Sequence, residues 1–359
     1  MYARNAISAL LQAGQKVDLI VRAEDWNSDK SQAIAWRDRV LVHYDDSSQY
    51  SFKSLLGLAK RIPFSDYDVY HCPHYTLPLG VPIPTIVTVH DIIHMSYPEH
   101  FYYPLIARPL INSALKRAAA VLTVSQSSAD SLRANFSKIN LSNRLFIVPN
   151  TVDLCFRNKK AVGTLNGKAK QEYFLTIFSN LKPHKGFDDL LDAYKFYLDN
   201  HFGQVNNLVL VGQGIEANLR EVEAKIKKKG LQEAVTCLGS VSDLELSELY
   251  RGAKGLIVPS LEEGFYLPIL EAHACGTPAV IRPVSAICEI KVAADIQAED
   301  FSIVGLARAL EQASLNFDSS CRRTILDDFN AQYLAKFSSV EIATALLEAY
   351  RFAIKSWGN

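Results

Sequence analysis

Ten short apolar runs recur along the chain, at residues 17–21, 69–71, 85–89, 121–124 and 145–148 and again at 173–178, 208–211, 235–238, 255–258 and 279–281. They are built from Val, Ile, Leu and aromatic residues with little polar alternation. A strand with one wet face alternates, whereas a run that is apolar throughout suits a strand covered on both faces, as in a parallel sheet. Stretches that read as helices lie between the runs, at 104–120, 187–200, 216–229 and 243–251. Asp188 and Asp189 suit the start of one helix, Asp243 the cap of another, and Gly230 a helix stop. The pattern predicts an α/β chain of doubly wound parallel sheets.

A length of 359 residues suits two domains. The segment FRNKKAVGTLNGKAKQ, residues 156–171, is poor in large apolar residues and reads as a linker. The expected organisation is a first domain over 1–155, a linker over 156–171, a second domain over 172–339 and a terminal helix over 340–359. Lys and Arg together number 38 and so do Asp and Glu, so no basic excess exists to attract nucleic acid. No run approaches the roughly 18 apolar residues of a membrane span, and residues 1–14 do not read as a secretory signal. The 6 cysteines include no CxxC pair, which argues against a zinc site or a disulfide framework and for a cytoplasmic location.

Three stretches hold residues suited to chemistry. In LIVPSLEEGFYLPILEAHACGTPAVI (256–281), Pro268 opens a short helix and Gly276 closes it, with Glu263 on the preceding loop and Glu271 inside the helix. Both carboxylates can face the crevice at the carboxyl ends of the strands, where α/β folds bind ligands, and can accept bonds from sugar or ribose hydroxyls. The spacing equally fits a solvated loop acid and an ordinary helix acid. In SNLKPHKG (179–186), Lys182 and Lys185 follow a strand and precede a helix, a place suited to a diphosphate. A solvated surface loop is the other reading. In VTVHDIIH (87–94), His90 and Asp91 follow a buried-type strand, and HCPHY places His71 and His74 after another. A polar pair at a strand end suits a cleft. The His-x-x-His spacing has no neighbouring carboxylate, and no metal site is expected. VGQG (211–214) lacks the full dinucleotide fingerprint and reads as a tight turn.

Taken together, these stretches resemble the retaining GT-B glycosyltransferases of family 4. EGFYLPILEAHACGTPAV is similar to that family's EGFGLPxLEAMACGTPVV signature, SNLKPHKG to its donor-phosphate loop, and LGSVSDLELSELYRGAKGLIVPS (238–260) to the segment lining its base pocket. VTVHDIIHMSYPEHF, VLTVSQSSADSL and VPNTVD match landmarks of its N-terminal domain. The resemblance implies two Rossmann-like domains facing each other across a cleft, with the final helix returning to the first. It implies a nucleoside-diphosphate sugar donor, UDP before GDP, on the second domain, and a saccharide or lipid-linked acceptor on the first. Glu271 would hold the ribose hydroxyls, Glu263 would sit at the donor sugar, Lys185 would neutralise the diphosphate and His90 would lie beside the reacting sugar. The implied donor set is Asn180, Lys182, Lys185, Gly239, Val241, Glu263, Gly264, Phe265, Tyr266, Leu267 and Glu271. The acceptor side comprises His71, His74, Asp91 and Ser125. No cofactor and no metal are implied, and retention is expected through attack on the leaving-group face. The expected setting is envelope or exopolysaccharide assembly by a monomer or dimer.

Several positions depart from that pattern. The chain begins inside the helix that follows the family's first strand and glycine-rich turn, so the first sheet is expected to lack a central strand. This raises a second reading, a catalytically weak nucleotide-sugar scaffold, and upstream residues are expected to raise the melting temperature. Tyr266 stands where the signature has Gly, Asn180 where relatives often have Gly-Arg, and Thr151 where they have Gly. In VSAICEIKVAAD only Glu289 still aligns with SxLPEVxGDAA. Residues 101–120, with Phe101, Tyr102, Tyr103, Arg108, Lys116 and Arg117, are read as a buried helix, with peripheral contact at a membrane surface as the other reading.

Overall fold

The computed structural model describes residues 2–27, 36–48, 51–157, 173–200 and 206–357. The chain forms two compact units, Met1–Thr151 with Lys336–Asn359 and Val152–Ala335. The junctions lie a few residues ahead of those read from composition. The reason is visible at Phe156, which composition assigned to the linker: it is buried, with its ring 6.0 Å from that of Tyr250 in the second unit. The rest of the expected linker, from residue 158 on, lies outside the described residues.

The second unit is built on one parallel sheet. Its strands are β7 (Tyr173–Ile177), β8 (Asn207–Val211), β9 (Val235–Cys237), β10 (Gly255–Val258), β11 (Ala279–Ile281) and β12 (Ile296–Gln297), in the order β12-β11-β10-β7-β8-β9. The winding runs outward from β7 in one direction and resumes at β10 in the other. The switch point is therefore between β7 and β10, which pair in parallel through Gly255 with Phe174 and Leu256 with Leu175. β10 is buried at every residue, as its unbroken apolar run predicts. Helices Phe187–Asn200 and Ile303–Asn316 supply Leu190, Leu191, Leu306 and Leu310 to the core beside Phe174, Leu208 and Ile257. The expected helix 216–229 is two pieces, Gln213–Ala217 and Leu219–Lys228. It breaks at Asn218, whose side-chain amide donates back to the Gly214 carbonyl at 2.9 Å.

The first unit holds two separately bonded parallel sheets. β1 (Asp18–Val21) pairs with β2 (Leu41–Tyr44), and β3 (Tyr70–Cys72), β4 (Thr85–Thr88), β5 (Ala120–Thr123) and β6 (Leu145–Ile147) form the other in that order. Among the described residues no further strand pairs with the second edge of β1 or of β3. The terminal helix Ser339–Trp357 belongs to this unit. Its Ile342, Leu346, Ala349 and Ala353 form a cluster with Ala6, Ala9 and Leu10 of helix Tyr2–Gln12 and with Ile86, Leu122 and Val148. Helix Tyr103–Arg117 corrects the expectation of a wholly buried segment. It buries only the stripe Ala107, Ile111, Ala114 and Leu115, leaving Leu105 71% and Ile106 56% exposed, and Phe101, in the turn before it, is 86% exposed.

Candidate functional site

The two strands at the switch point each feed one of the loops singled out in the sequence. β7 runs into Phe178–Gly186 and β10 into the loop holding Glu263, which ends at helix Leu267–Ala274. Strand order alone thus brings together residues nearly eighty positions apart. The backbones meet closely: the amide of Leu261 donates to the His184 carbonyl at 2.7 Å. Gly186, at φ +68°, ends the short turn Pro183–Lys185, and a Cβ there would stand 2.2 Å from the Pro259 carbonyl oxygen. Only glycine fits both demands.

VGQG does more than turn the chain. A Cβ on Gly212 would lie 2.5 Å from the Phe178 carbonyl oxygen, and one on Gly214 would lie 2.7 Å from the Asn180 Cα. The two glycines let the end of β8 pass under the loop that follows β7. The amide of Gly212 donates to the Gly239 carbonyl at 3.1 Å, which draws the segment holding Gly239 and half-buried Val241 to the same edge.

At the centre is an ion pair. Lys185 Nζ donates to Glu263 Oε1 at 2.8 Å and to Oε2 at 2.9 Å, and Ser260 Oγ donates to Oε1 at 2.7 Å. The side chains are only 15% and 5% exposed. Removing one member of such a pair strands the other charge out of water and costs about 3–5 kcal/mol. Lys182 caps the turn with its amide bonded to Asn180 Oδ1 at 3.2 Å. Gly264 and Tyr266 are buried, and Phe265 and Leu267 are half-buried. The Tyr266 hydroxyl donates to the Ile177 carbonyl at 3.0 Å.

Glu271 is buried in the helix, and its Oε2 accepts from the Tyr250 hydroxyl at 3.0 Å. Burial, helped by the carboxylates of Asp243 and Asp153, pushes its pKa up to about 7, while the Tyr250 bond pulls the other way. It titrates near neutrality and can offer hydroxyl groups a charged acceptor. Sequence reasoning missed Arg282. Its side chain is fully buried at the end of β11, where Nη1 donates to Asp189 Oδ2 at 2.8 Å and to the Pro259 carbonyl at 3.0 Å. An arginine directly after the apolar run 279–281 was the available signal.

The remaining candidates lie in the first unit. The His71 ring nitrogens stand 2.8 Å from the Tyr350 hydroxyl and 2.7 Å from Thr88 Oγ1. His74 Nδ1 stands 3.2 Å from Thr76 Oγ1. Burial, and then neighbouring His90, lowers both imidazoles to about 4. His90 donates to the Pro73 carbonyl at 3.2 Å and meets the Tyr2 ring edge-on at 4.7 Å. Burial lowers its pKa too, against the pull of the Pro73 bond and Asp91. These imidazoles are neutral at pH 7 and collect at the carboxyl ends of β3 and β4. Asp91 accepts from the Ile93 amide at 3.1 Å. Ser125 is buried and caps helix Gln126–Asn135, accepting from the Ser128 amide at 3.0 Å.

Comparison with known proteins finds a family and similar folds for the chain. Residues 164–322 match the model of glycosyl transferases group 1, and residues 1–156 match that of glycosyltransferase family 4. The O-antigen chain mannosyltransferase RfbU of Salmonella typhimurium is 30% identical over 241 residues, 67% of this chain and 63% of that protein. The chain thus spans less than two thirds of RfbU. O-antigen chain mannosyltransferase B of Escherichia coli is 29% identical over 301 residues, covering 80% of this chain and 75% of the relative. Among solved structures, the sucrose-phosphate synthase of Thermosynechococcus elongatus superposes with a TM-score of 0.74 at 19% identity, covering 98% of this chain and 92% of that one. Anabaena HepE, solved in complex with UDP and glucose, gives 0.73 at 20% identity, covering 97% and 95%.

Proposed function

The chain belongs to the GT-B glycosyltransferases of family 4, and we propose that it transfers a sugar from a nucleoside-diphosphate sugar to a saccharide or lipid-linked acceptor during envelope polysaccharide assembly. The observation that carries this reading is the meeting of Lys185, Glu263 and Glu271 on the two loops at the β7–β10 switch point. The two O-antigen mannosyltransferase relatives favour mannose as the transferred sugar. The UDP complex of HepE keeps a uridine donor beside a guanosine one.

In this reading Glu271 accepts the ribose hydroxyls. Lys185 turns part of its charge from Glu263 toward the diphosphate. The bond from the anomeric carbon to the phosphate oxygen breaks, and its electron pair leaves with the phosphate. An acceptor hydroxyl oxygen bonds to the anomeric carbon on the same face, and its proton passes to the departing phosphate oxygen, so configuration is retained. Preorganised positive charge at the diphosphate lowers the barrier because negative charge grows there. The imidazole of His90, lowered in pKa by burial, lies beside the reacting sugar, and the reading assumes no metal. No described helix is long and apolar enough to cross a membrane; the exposed Phe101, Leu105 and Ile106 support peripheral contact with a lipid surface.

The test is a calorimetric titration of UDP, GDP and ADP into the chain and into Glu271→Ala. One nucleotide is expected to bind with micromolar affinity and to lose at least tenfold in the variant. Hydrolysis of UDP-glucose and GDP-mannose then identifies the donor. Failure of all three nucleotides to bind refutes the reading.

A further inference from the structure

Tyr266 stands where the family signature has glycine, and the structure gives it a definite place. It is 6% exposed, at the residue that precedes helix Leu267–Ala274. Its hydroxyl reaches back to the carbonyl of Ile177, the last residue of β7, at 3.0 Å. Its ring centroid lies 5.9 Å from Lys185 Nζ, at the outer limit of a cation–π contact. Burial, then the carboxylates of Glu263 and Glu271, raise the hydroxyl well above its usual pKa, so it remains a proton donor. One side chain therefore touches the strand before the lysine loop, borders the Lys185–Glu263 pair and lies within the field of both glutamates.

We propose that Tyr266 is a positioning residue for the donor's diphosphate and sugar: it ties the glutamate loop to the end of β7 and so fixes the Lys185–Glu263 pair relative to Glu271. A glycine leaves this space open and the loop untethered. The bond runs from the glutamate loop to the end of β7, and adds to the Lys185–Glu263 pair, the Leu261–His184 backbone bond and the Gly186–Pro259 close approach that join the two loops. Tyr266 precedes the helix that carries Glu271, but Glu271 is held by that helix and by the Tyr250 hydroxyl, and neither contact uses the Tyr266 hydroxyl. Tyr266 thus governs the reacting end of the donor and leaves the nucleoside end unchanged. This inference rests on the donor reading above.

The experiment compares the full chain with Tyr266→Phe and Tyr266→Gly. Two quantities are read: the dissociation constant of the nucleoside monophosphate (UMP or GMP, matching the base that binds), and kcat for hydrolysis of the matching donor, UDP-glucose or GDP-mannose. Tyr266→Phe, which keeps the ring and loses only the hydroxyl, is expected to lower kcat about fivefold to tenfold, the size of one neutral hydrogen bond. Tyr266→Gly is expected to lower it further. Monophosphate affinity is expected to stay within about twofold in both. An unchanged kcat in Tyr266→Phe overturns the proposal, and so does a fall in kcat matched by an equal loss of monophosphate affinity, which marks a merely structural role. If the unaltered chain binds no nucleotide, the donor reading itself fails and takes this inference with it; binding and turnover that are insensitive to Tyr266 remove the inference alone.

Discussion

Glu271 joins burial to acidity in one side chain. Its pKa is 4.5 in an unstructured chain and about 7 in the fold, chiefly because of burial. A raised folded value means that the group's favourable contribution is complete below pH 4.5 and is lost as pH rises through 7. Above neutrality the fold holds a buried carboxylate at a cost on the order of 3 kcal/mol. Glu271→Gln keeps an acceptor for the Tyr250 hydroxyl and removes the charge. It is expected to raise the unfolding midpoint by several degrees at pH 8 and by much less at pH 5; equal shifts at the two pH values contradict this origin. The sequence exposed Glu263 and Glu271 as candidates because one follows a buried strand and the other sits just inside a proline-started helix. It did not expose their partners. Ser260 is close enough to guess, but Lys185 meets Glu263, and Tyr250 meets Glu271, only after the strand order is known. Arg282 was illegible for the opposite reason: an arginine is expected outside, and here its charge is matched by Asp189, on a distant helix.

Elements hold the site through backbone contacts as much as through side chains. Gly186 and Gly230 share a left-handed conformation, at φ +68° and +72°. A Cβ on Gly230 meets nothing, whereas one on Gly186 collides with the Pro259 carbonyl. Gly230→Ala is therefore expected to cost about 1 kcal/mol of backbone strain, and Gly186→Ala about 3 kcal/mol as the two loops are pushed apart. Denaturant unfolding of the two variants checks the difference, and equal costs rule out the close approach as its source. The ten apolar runs all became strands; β4, β5, β10 and β11 are buried at every residue, as an unbroken apolar run predicts, while β1, β6 and β9 are apolar runs that keep exposed or half-buried residues. β2 and β12 escaped notice for physical reasons. β2 has Leu41 58% and Tyr44 56% exposed, with His43 between them, so it lacks the buried signature. β12 is only two residues long.

At the scale of the molecule, helix Ser339–Trp357 is a structural part of the first unit although the whole second unit separates it in sequence from Met1–Thr151. Leu346 is fully buried there against helix Tyr2–Gln12 and the β4–β6 sheet. Leu346→Ala is expected to destabilise that unit by about 3 kcal/mol. The three tryptophans of the chain, Trp26, Trp36 and Trp357, all lie in the first unit, so their fluorescence reports on it alone. A midpoint by fluorescence that does not move in the variant refutes the assignment. Two compact units were legible from length, but the split of the first sheet into two bonded groups was not, because pairing depends on neighbours distant in sequence. That split leaves β1 and β3 each with an edge that no described strand covers. Such an edge displays a row of amides and carbonyls already spaced to accept another backbone. An incoming strand that paired there would join two molecules through backbone bonds alone, a form of self-association that grows with protein concentration.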